Sequence, residues 1–473
     1  MIKLTLAEII EAIRGKPRGD MPGGSVTAVA TDSRSVQRGE LFFALRGERF
    51  DGHGFVCDAL RAGAIAAVVE DSRADALARE APAHGIVEPR LIGVTDVSAA
   101  LGRLGAYHRQ QVSATVIAVV GSNGKTTTKA MIDHVLSDGR RGRASPRSFN
   151  NAVGVPLTLL SAQAADEYLV VEIGTNAPGE IAALSALVQP DAAVLTSLSE
   201  EHLEGLRDLD GVAAEECSVF ASLAAGGFAA INIDAPQVRG HLPTGRATIV
   251  TIGLSADADL RVSDTAYAPP WLSFVVNGKF RYRLPLPGAH NAINAAAAIA
   301  VARRLGMEHD RIAARLETFT GPPMRSELVR LGGVTIINDA YNANPRSALA
   351  AIDSIEAMPT DGRRIVVFGE MRELGARSSA LHRQVAERLA GGRVDHVLLV
   401  GAAGGMMKDA FADPRLFGPK LDLCADLDHC RERLRQVVRD GDVVLLKGSR
   451  AVGLERLVES LSPAPVRAIG EAD

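Results

Sequence analysis

The sequence predicts an α/β protein of three domains with mainly parallel sheets. Three observations predict it. The chain has 473 residues, about three times the ~150 residues of an ordinary domain. Apolar, β-branched runs recur along it, each followed by a Gly-rich turn and a helical pattern, as in successive βαβ units. Hydrophobic residues at 47% and charged residues at 23% are globular values that exclude a largely disordered chain.

The elements follow in order. A first region, residues 1–97, reads as a strand at 41–45, a helix near 56–62 and a strand at 65–70. A helical stretch at 99–111 opens a second region, 98–319, with strands at 116–120, 168–173, 192–198 and 228–233. A third region, 320–473, begins at the proline-containing stretch 320–324 and has strands at 334–338, 364–368, 396–400 and 443–446. A formal charge of -4 excludes the bulk basic field of a non-specific nucleic-acid binder. No apolar run approaches the ~18 residues of a membrane span, so no membrane insertion is expected. Lys3, Glu8 and Glu11 interrupt the start of the chain, and no secretory signal is read there. Cys57, Cys217, Cys424 and Cys430 are scattered without metal-ligand spacing. A monomer in the reducing cytoplasm is the expectation.

The chemistry begins at Gly121-Ser122-Asn123-Gly124-Lys125-Thr126-Thr127, which follows the apolar run 116–120 and opens a helix. Glycines let backbone N–H groups approach an anion, and the helix N-terminus adds partial positive charge. Lys125 is placed to reach the β- and γ-phosphates and the Thr126 hydroxyl to bind Mg²⁺. Position 119, ordinarily Gly in such loops, is Val119. Glu172 ends an otherwise apolar strand, where a carboxylate needs a partner or a metal. His202 lies at the carboxyl end of the next strand, on the side where open α/β sheets bind ligands. Together these residues point to ATP with one or two Mg²⁺. A kinase, a motor, a nucleotide switch and a ligase would all fit. His108 and His134 fall in helical stretches and read as structural.

Segments across nearly the whole length resemble the Mur ligases, ATP-dependent amide-forming enzymes of peptidoglycan precursor synthesis. Thr31-Asp32-Ser33-Arg34, Leu45-Arg46-Gly47 and Phe50-Asp51-Gly52-His53-Gly54-Phe55 are similar to the family's UDP-sugar region, which implies that Ser33, Arg34, Arg46, Gly47, Asp51 and His53 hold substrate. Asn150-Asn151-Ala152-Val153-Gly154-Val155-Pro156 resembles the segment near the substrate peptide. Val171-Glu172-Ile173-Gly174 and His202-Leu203-Glu204-Gly205 resemble the metal motifs. His290, Asn291 and Asn294 match the helix beside the nucleotide base. In the third region, Asp339-Ala340-Tyr341-Asn342-Ala343-Asn344-Pro345 resembles the branch whose incoming amine is D-alanyl-D-alanine. Tyr341, Asn342, Asn344 and Pro345 are thereby implied in substrate binding, and Asp339 with Arg325 in nucleotide binding. Phe368-Gly369-Glu370-Met371-Arg372-Glu373-Leu374-Gly375 with His382, and Leu446-Lys447-Gly448-Ser449-Arg450, complete the likeness.

Two positions depart from the family pattern. The family's Gly-Arg is Met324-Arg325 here. Its carbamylated lysine near the second metal falls on Glu216, in a helical stretch beside Glu215. Glu216 is expected to supply a carboxylate directly, as a metal ligand acting with Lys125 and His202, although a solvated helix face or a role for Glu215 would give the same pattern.

The resemblance implies three domains: an N-terminal α/β domain for the UDP end of UDP-N-acetylmuramoyl-tripeptide, a central phosphate-loop ATPase domain, and a C-terminal Rossmann-like domain for D-alanyl-D-alanine. The implied chemistry transfers the γ-phosphoryl group to a carboxylate and then lets an amine displace phosphate. The preceding family step, adding a diamino acid, is an alternative suggested by Asn344-Pro345-Arg346, but Tyr341-Asn342-Ala343 speaks against it. Folylpolyglutamate synthetases lack the Thr-Asp-Ser-Arg region. A nucleotide switch leaves the matched segments of the outer regions without a role.

Overall fold

The computed structural model describes residues 4–461 apart from 48–49, 244, 246 and 413–417. Its described strands form three substantial sheets and a two-stranded ribbon. The first sheet runs, in spatial order, Lys16–Arg18, Leu91–Val94, Ala66–Glu70, Leu41–Phe43 and Val29–Ala30, antiparallel only at its first pair. The strand expected at 41–45 stops at Phe43, because the Leu45 carbonyl accepts the Gly52 N–H in a turn.

The central sheet has nine strands. From one edge, Gly142–Ala144, Tyr168–Glu172, Thr115–Val120, Ala192–Leu195, Phe228–Asn232 and Thr248–Gly253 are parallel, and Leu260–Ala268 continues them. Trp271–Val276 and Phe280–Leu284 then add two antiparallel pairings. The fully apolar strands were readable as buried runs. The antiparallel pair was not, because Arg281 and Arg283 alternate with buried Tyr282 and Leu284, the weaker signal of a half-exposed strand.

Helices close both faces of this sheet. On one side the alanine-rich helix His290–Arg304 packs against helix Lys125–Leu136, and buried Ala292, Ala295, Ala296 and Ala298 allow the close approach. On the other side Val155, Ile181 and Val212 come from three different helices. Helix Val97–Arg109 sends Val97, Ala100, Leu101 and Leu104 into the core of the first sheet, while also packing on helix Gly154–Ser161. The third sheet has six strands, ordered Glu327–Leu331, Val334–Asp339, Val443–Lys447, Arg364–Phe368, His396–Val400 and Lys420–Cys424, antiparallel only at its first pair. Among the described residues no helix is long and apolar enough to cross a membrane.

Candidate active site

Strand Thr115–Val120 has Tyr168–Glu172 on one side and Ala192–Leu195 on the other, so the chain crosses it between successive units. This is the switch point at which a crevice opens beyond the strand ends. The loop 121–124 fills it and starts helix Lys125–Leu136. Gly121 and Gly124 have φ of 121° and 85°, a region that favours glycine. Added Cβ atoms would collide with Thr196 Oγ1 and Asn294 Oδ1 respectively, so the loop is clasped by the neighbouring strand end and by helix His290–Arg304.

A cavity of about 700 Å³ opens over this loop. From the loop it takes Ser122, Asn123, Gly124, Lys125, Thr126 and Thr127. Asn150, Asn151, Glu172 and His202 border it from other central strand ends and loops. His290, Asn291 and Asn294 come from the alanine-rich helix, and Arg325, Asp339, Tyr341 and Asn342 from the third region. Residues expected from distant segments of sequence thus meet at one opening.

Buried charge dominates the geometry. Burial acts to lower the Lys125 pKa, but the surrounding Glu201, Glu216 and Glu172 raise it on balance, so its ammonium stays charged. In this arrangement that ammonium turns back to the Gly121 carbonyl. Glu172 is 1% exposed. Its Oε2 accepts from Lys129 Nζ at 2.9 Å, while Oε1 accepts from Thr126 Oγ1 at 3.2 Å and Asn150 Nδ2 at 3.1 Å. Glu201 lies in the same pocket, and burial raises its pKa to about 8 even though Lys125 opposes the shift. His202, at a φ of 51°, holds Glu373 at 2.6 Å through Nδ1. Burial lowers its pKa against the pull of Glu373. In the third region Lys447 Nζ meets Asp339 Oδ2 at 2.8 Å, and Arg325 stacks 4.1 Å above the Tyr341 ring.

The donor set fits ATP with Mg²⁺. Among the described residues no three His, Cys, Asp or Glu side chains cluster as a metal cage. Mg²⁺ needs none, since it keeps waters and phosphate oxygens around one or two carboxylates. Thr126 and Glu172 would hold it, with His202 across the same opening.

Several expected residues are placed differently. The Gly121 N–H donates to Glu216 Oε2 at 2.7 Å, so it is spent on that carboxylate and not offered to a phosphate. Glu216 itself is wholly buried beneath the loop and does not border the cavity, and its Oε1 has no partner. Burial pushes its pKa up, opposed by Lys125 and by the Gly121 hydrogen bond. Asn344 and Pro345 do not border the cavity either. Pro345 is the first residue of helix Pro345–Ala357, and the Asn344 amide is consumed in capping that helix and in bonds to the central region. Ser33, Arg34, Arg46, Gly47, Asp51 and His53 lie in the first region, outside this cavity. His53 is not free to bind substrate: Nε2 accepts from the Glu70 N–H at 2.9 Å, which leaves Nδ1 to donate to Asp51 at 2.6 Å. Arg34 folds onto Asp32 at 2.7 Å.

Other residues in or behind the site are given no role by the sequence, although Glu373 and Lys447 fall in segments that carry the family likeness. Lys129 sits one helical turn after Lys125, a spacing that places both on one helix face. Lys447 ends a buried strand in register with Asp339, as Glu172 ends its own. Glu201, Arg346 and Glu373 stand in polar loops or at a helix start, where no periodicity marks them.

Comparison with known proteins matches this arrangement. Residues 119–302 match the Mur ligase middle domain, 324–450 the glutamate ligase domain of Mur ligases, and 25–109 the Mur ligase family catalytic domain. A UDP-N-acetylmuramoyl-tripeptide–D-alanyl-D-alanine ligase from Bacillus subtilis is 33% identical over 98% of this chain and 100% of its own. A protein of the same name from Escherichia coli is 34% identical over 98% and 99%. The crystal structure of MurF from Acinetobacter baumannii superposes with a TM-score of 0.85 at 28% identity, covering 98% of this chain and 99% of that one. MurF ligase from Thermotoga maritima, solved in complex with ADP, gives 0.80 at 29% identity over 92% and 96%. With relatives 33% and 34% identical over 98% of its length, the chain belongs to the Mur ligase family.

Proposed function

We propose that the chain is the ATP-dependent ligase that adds D-alanyl-D-alanine to UDP-N-acetylmuramoyl-tripeptide in peptidoglycan precursor synthesis. The observation that carries this reading is the shared cavity: a phosphate loop opens onto the same space as Arg325, Asp339, Tyr341 and Asn342 of the third region. A nucleotide switch has no use for that convergence.

The reaction must activate a carboxylate, which is a poor acyl donor, by moving the γ-phosphoryl group of ATP onto it. The amine of the dipeptide then attacks the acyl phosphate and phosphate departs. Two anions must first approach. At about 4 Å and an effective dielectric near 20 they repel by about 4 kcal/mol, nearly a thousandfold in rate. Lys125, kept charged by its acidic neighbours, offsets this at the transferring phosphoryl group. Bound Mg²⁺ supplies further neutralisation of the phosphate oxygens. Lys129 fixes Glu172 from behind, which turns Oε1 toward Thr126.

The domain roles belong to the same proposal. Residues 1–97 hold the UDP end, 98–319 bind ATP and Mg²⁺, and 320–473 bring the dipeptide. Ser33, Arg34, Arg46, Gly47 and Asp51 serve the first of these, Asn150, Asn151, Tyr341 and Asn342 the peptide ends, and His290, Asn291, Asn294, Arg325 and Asp339 the nucleotide. Glu216 supplies the negative charge of the family's carbamate from beneath the loop, where it accepts the Gly121 N–H and supports the charge of Lys125, without bordering the cavity itself. The protein works as a cytoplasmic monomer, without nucleic acid. Phosphate release measured with each substrate omitted in turn tests the function. Release should require both UDP-N-acetylmuramoyl-tripeptide and D-alanyl-D-alanine, and ATP turnover without either would overturn it.

A further inference from the structure

Asn344 is 4% exposed and sits where the third region meets the phosphate loop. The two ends of its amide face opposite ways. The oxygen accepts from the Ser347 N–H at 2.9 Å, and the Asn344 backbone N–H donates to Ser347 Oγ at 3.0 Å. This pair caps helix Pro345–Ala357. The amide nitrogen points the other way, to Asn123 Oδ1 at 2.9 Å, with Glu201 Oε2 at 3.4 Å. Asn123 is itself held: its Nδ2 donates to Ser199 Oγ at 2.7 Å and its backbone N–H to Ser197 Oγ at 3.1 Å. Its carbonyl accepts from Thr196 Oγ1 at 2.6 Å. One short side chain thus ties the first turn of a helix in one region to a loop 221 residues away.

We propose that Asn344 is a positioning residue that registers the third region on the phosphate loop through Asn123, so that the nucleotide and the incoming amine are brought to a common reference. Every polar group of its side chain is committed to protein partners, so this role involves no contact with substrate. The donor must be an amide on a short arm. An aspartate would preserve the cap, because aspartate and asparagine cap equally well, but would place a carboxylate against Asn123 Oδ1 and Glu201. A serine would also preserve the cap and would fall short of the loop. The inference rests on the ligase reading only for its assay. Wild-type dependence on both substrates tests that reading, and the variants below test this one.

The experiment compares Asn344→Asp, Asn344→Ser, Asn123→Ala and the double variant Asn123→Ala/Asn344→Ser in the full-length protein. Thermal melts should stay close to wild type for Asn344→Ser, since the cap survives, and should fall for Asn344→Asp, whose carboxylate is buried against Glu201. Turnover should fall by about tenfold or more, because misplacement of the reacting groups by about 1 Å costs up to 100-fold, while KM for D-alanyl-D-alanine moves less than about threefold. The double variant should be no slower than the slower single variant, as two ends of one bridge are lost only once. Wild-type kcat in Asn344→Asp overturns the proposal. So does a raised dipeptide KM with unchanged kcat, which would return Asn344 to substrate binding, and so do multiplicative losses in the double variant.

Discussion

The phosphate loop and the Asp32–His53 segment carry comparably distinctive sequence motifs, yet fold into opposite kinds of chemistry. In the first region the polar side chains satisfy one another locally. Arg34 closes on Asp32 and His53 on Asp51, each two residues away in sequence. In the centre the partners are distant: Lys129 with Glu172, Gly121 with Glu216, Asn344 with Asn123, separated by 43, 95 and 221 residues. Local bonds hold a loop in shape at the surface. Long-range bonds between buried groups bring several segments into one charged cavity, where low dielectric strengthens every interaction. A motif therefore locates a site more surely when its polar atoms cannot be satisfied by near neighbours.

The largest effect that would sharpen this contrast is at Lys125. Lys125→Ala should reduce turnover by about 100-fold or more, the scale of a lost transition-state contact, with an unchanged circular dichroism spectrum. A folded variant with near wild-type phosphate release would remove Lys125 from the reaction. Next is Glu216→Gln. The amide oxygen still accepts the Gly121 N–H, so the loop should keep its shape and only the charge is lost. Turnover should drop by more than about tenfold, because Lys125 loses an anion that supports its charge beneath the loop. Wild-type turnover should also be the same in carbon-dioxide-free and bicarbonate-supplemented buffer, and bicarbonate dependence would refute Glu216 as the source of the carboxylate.

The first region should respond in stability before activity. His53→Ala leaves the Glu70 N–H without an acceptor in a buried site, at a cost of about 1–3 kcal/mol. Denaturant titration should show that loss, while KM for UDP-N-acetylmuramoyl-tripeptide stays within about twofold. The smallest expected change is from Arg34→Ala. Its side chain is 87% exposed, so the melting temperature should not move, and only KM for the UDP-linked substrate should rise. An unchanged KM would separate Arg34 from that substrate.

Much of the fold was legible because parallel strands buried on both faces read as continuous apolar runs, as at Tyr168–Glu172 and Ala192–Leu195. The half-exposed strands from Leu260 to Leu284 carried too many polar residues to stand out. Lys125, Thr126 and Glu172 were legible from loop chemistry and from a charge at the end of an apolar strand. The sequence marks Asn344 as a substrate residue, whereas the structure commits its side chain to protein partners. Its sequence neighbours could not reveal that the amide nitrogen faces a loop in another region, since that orientation is set by tertiary packing. Lys129 carries no signal in the sequence, because a lysine on a helix is ordinarily solvated and only its burial against Glu172 distinguishes it.

The packing of helix His290–Arg304 on helix Lys125–Leu136 has a consequence for synthesis on the ribosome. The apolar side of the phosphate-loop helix is covered by residues made roughly 150 positions later. At about 5–20 residues per second, that face waits on the order of ten to thirty seconds for its partner. During that interval the cluster around Met131, Ile132 and Val135 has its strand residues, such as Ile117 and Val170, but lacks the alanine-rich helix, so the nascent central region is a natural client for chaperones and is most prone to misassembly before residue 304 emerges.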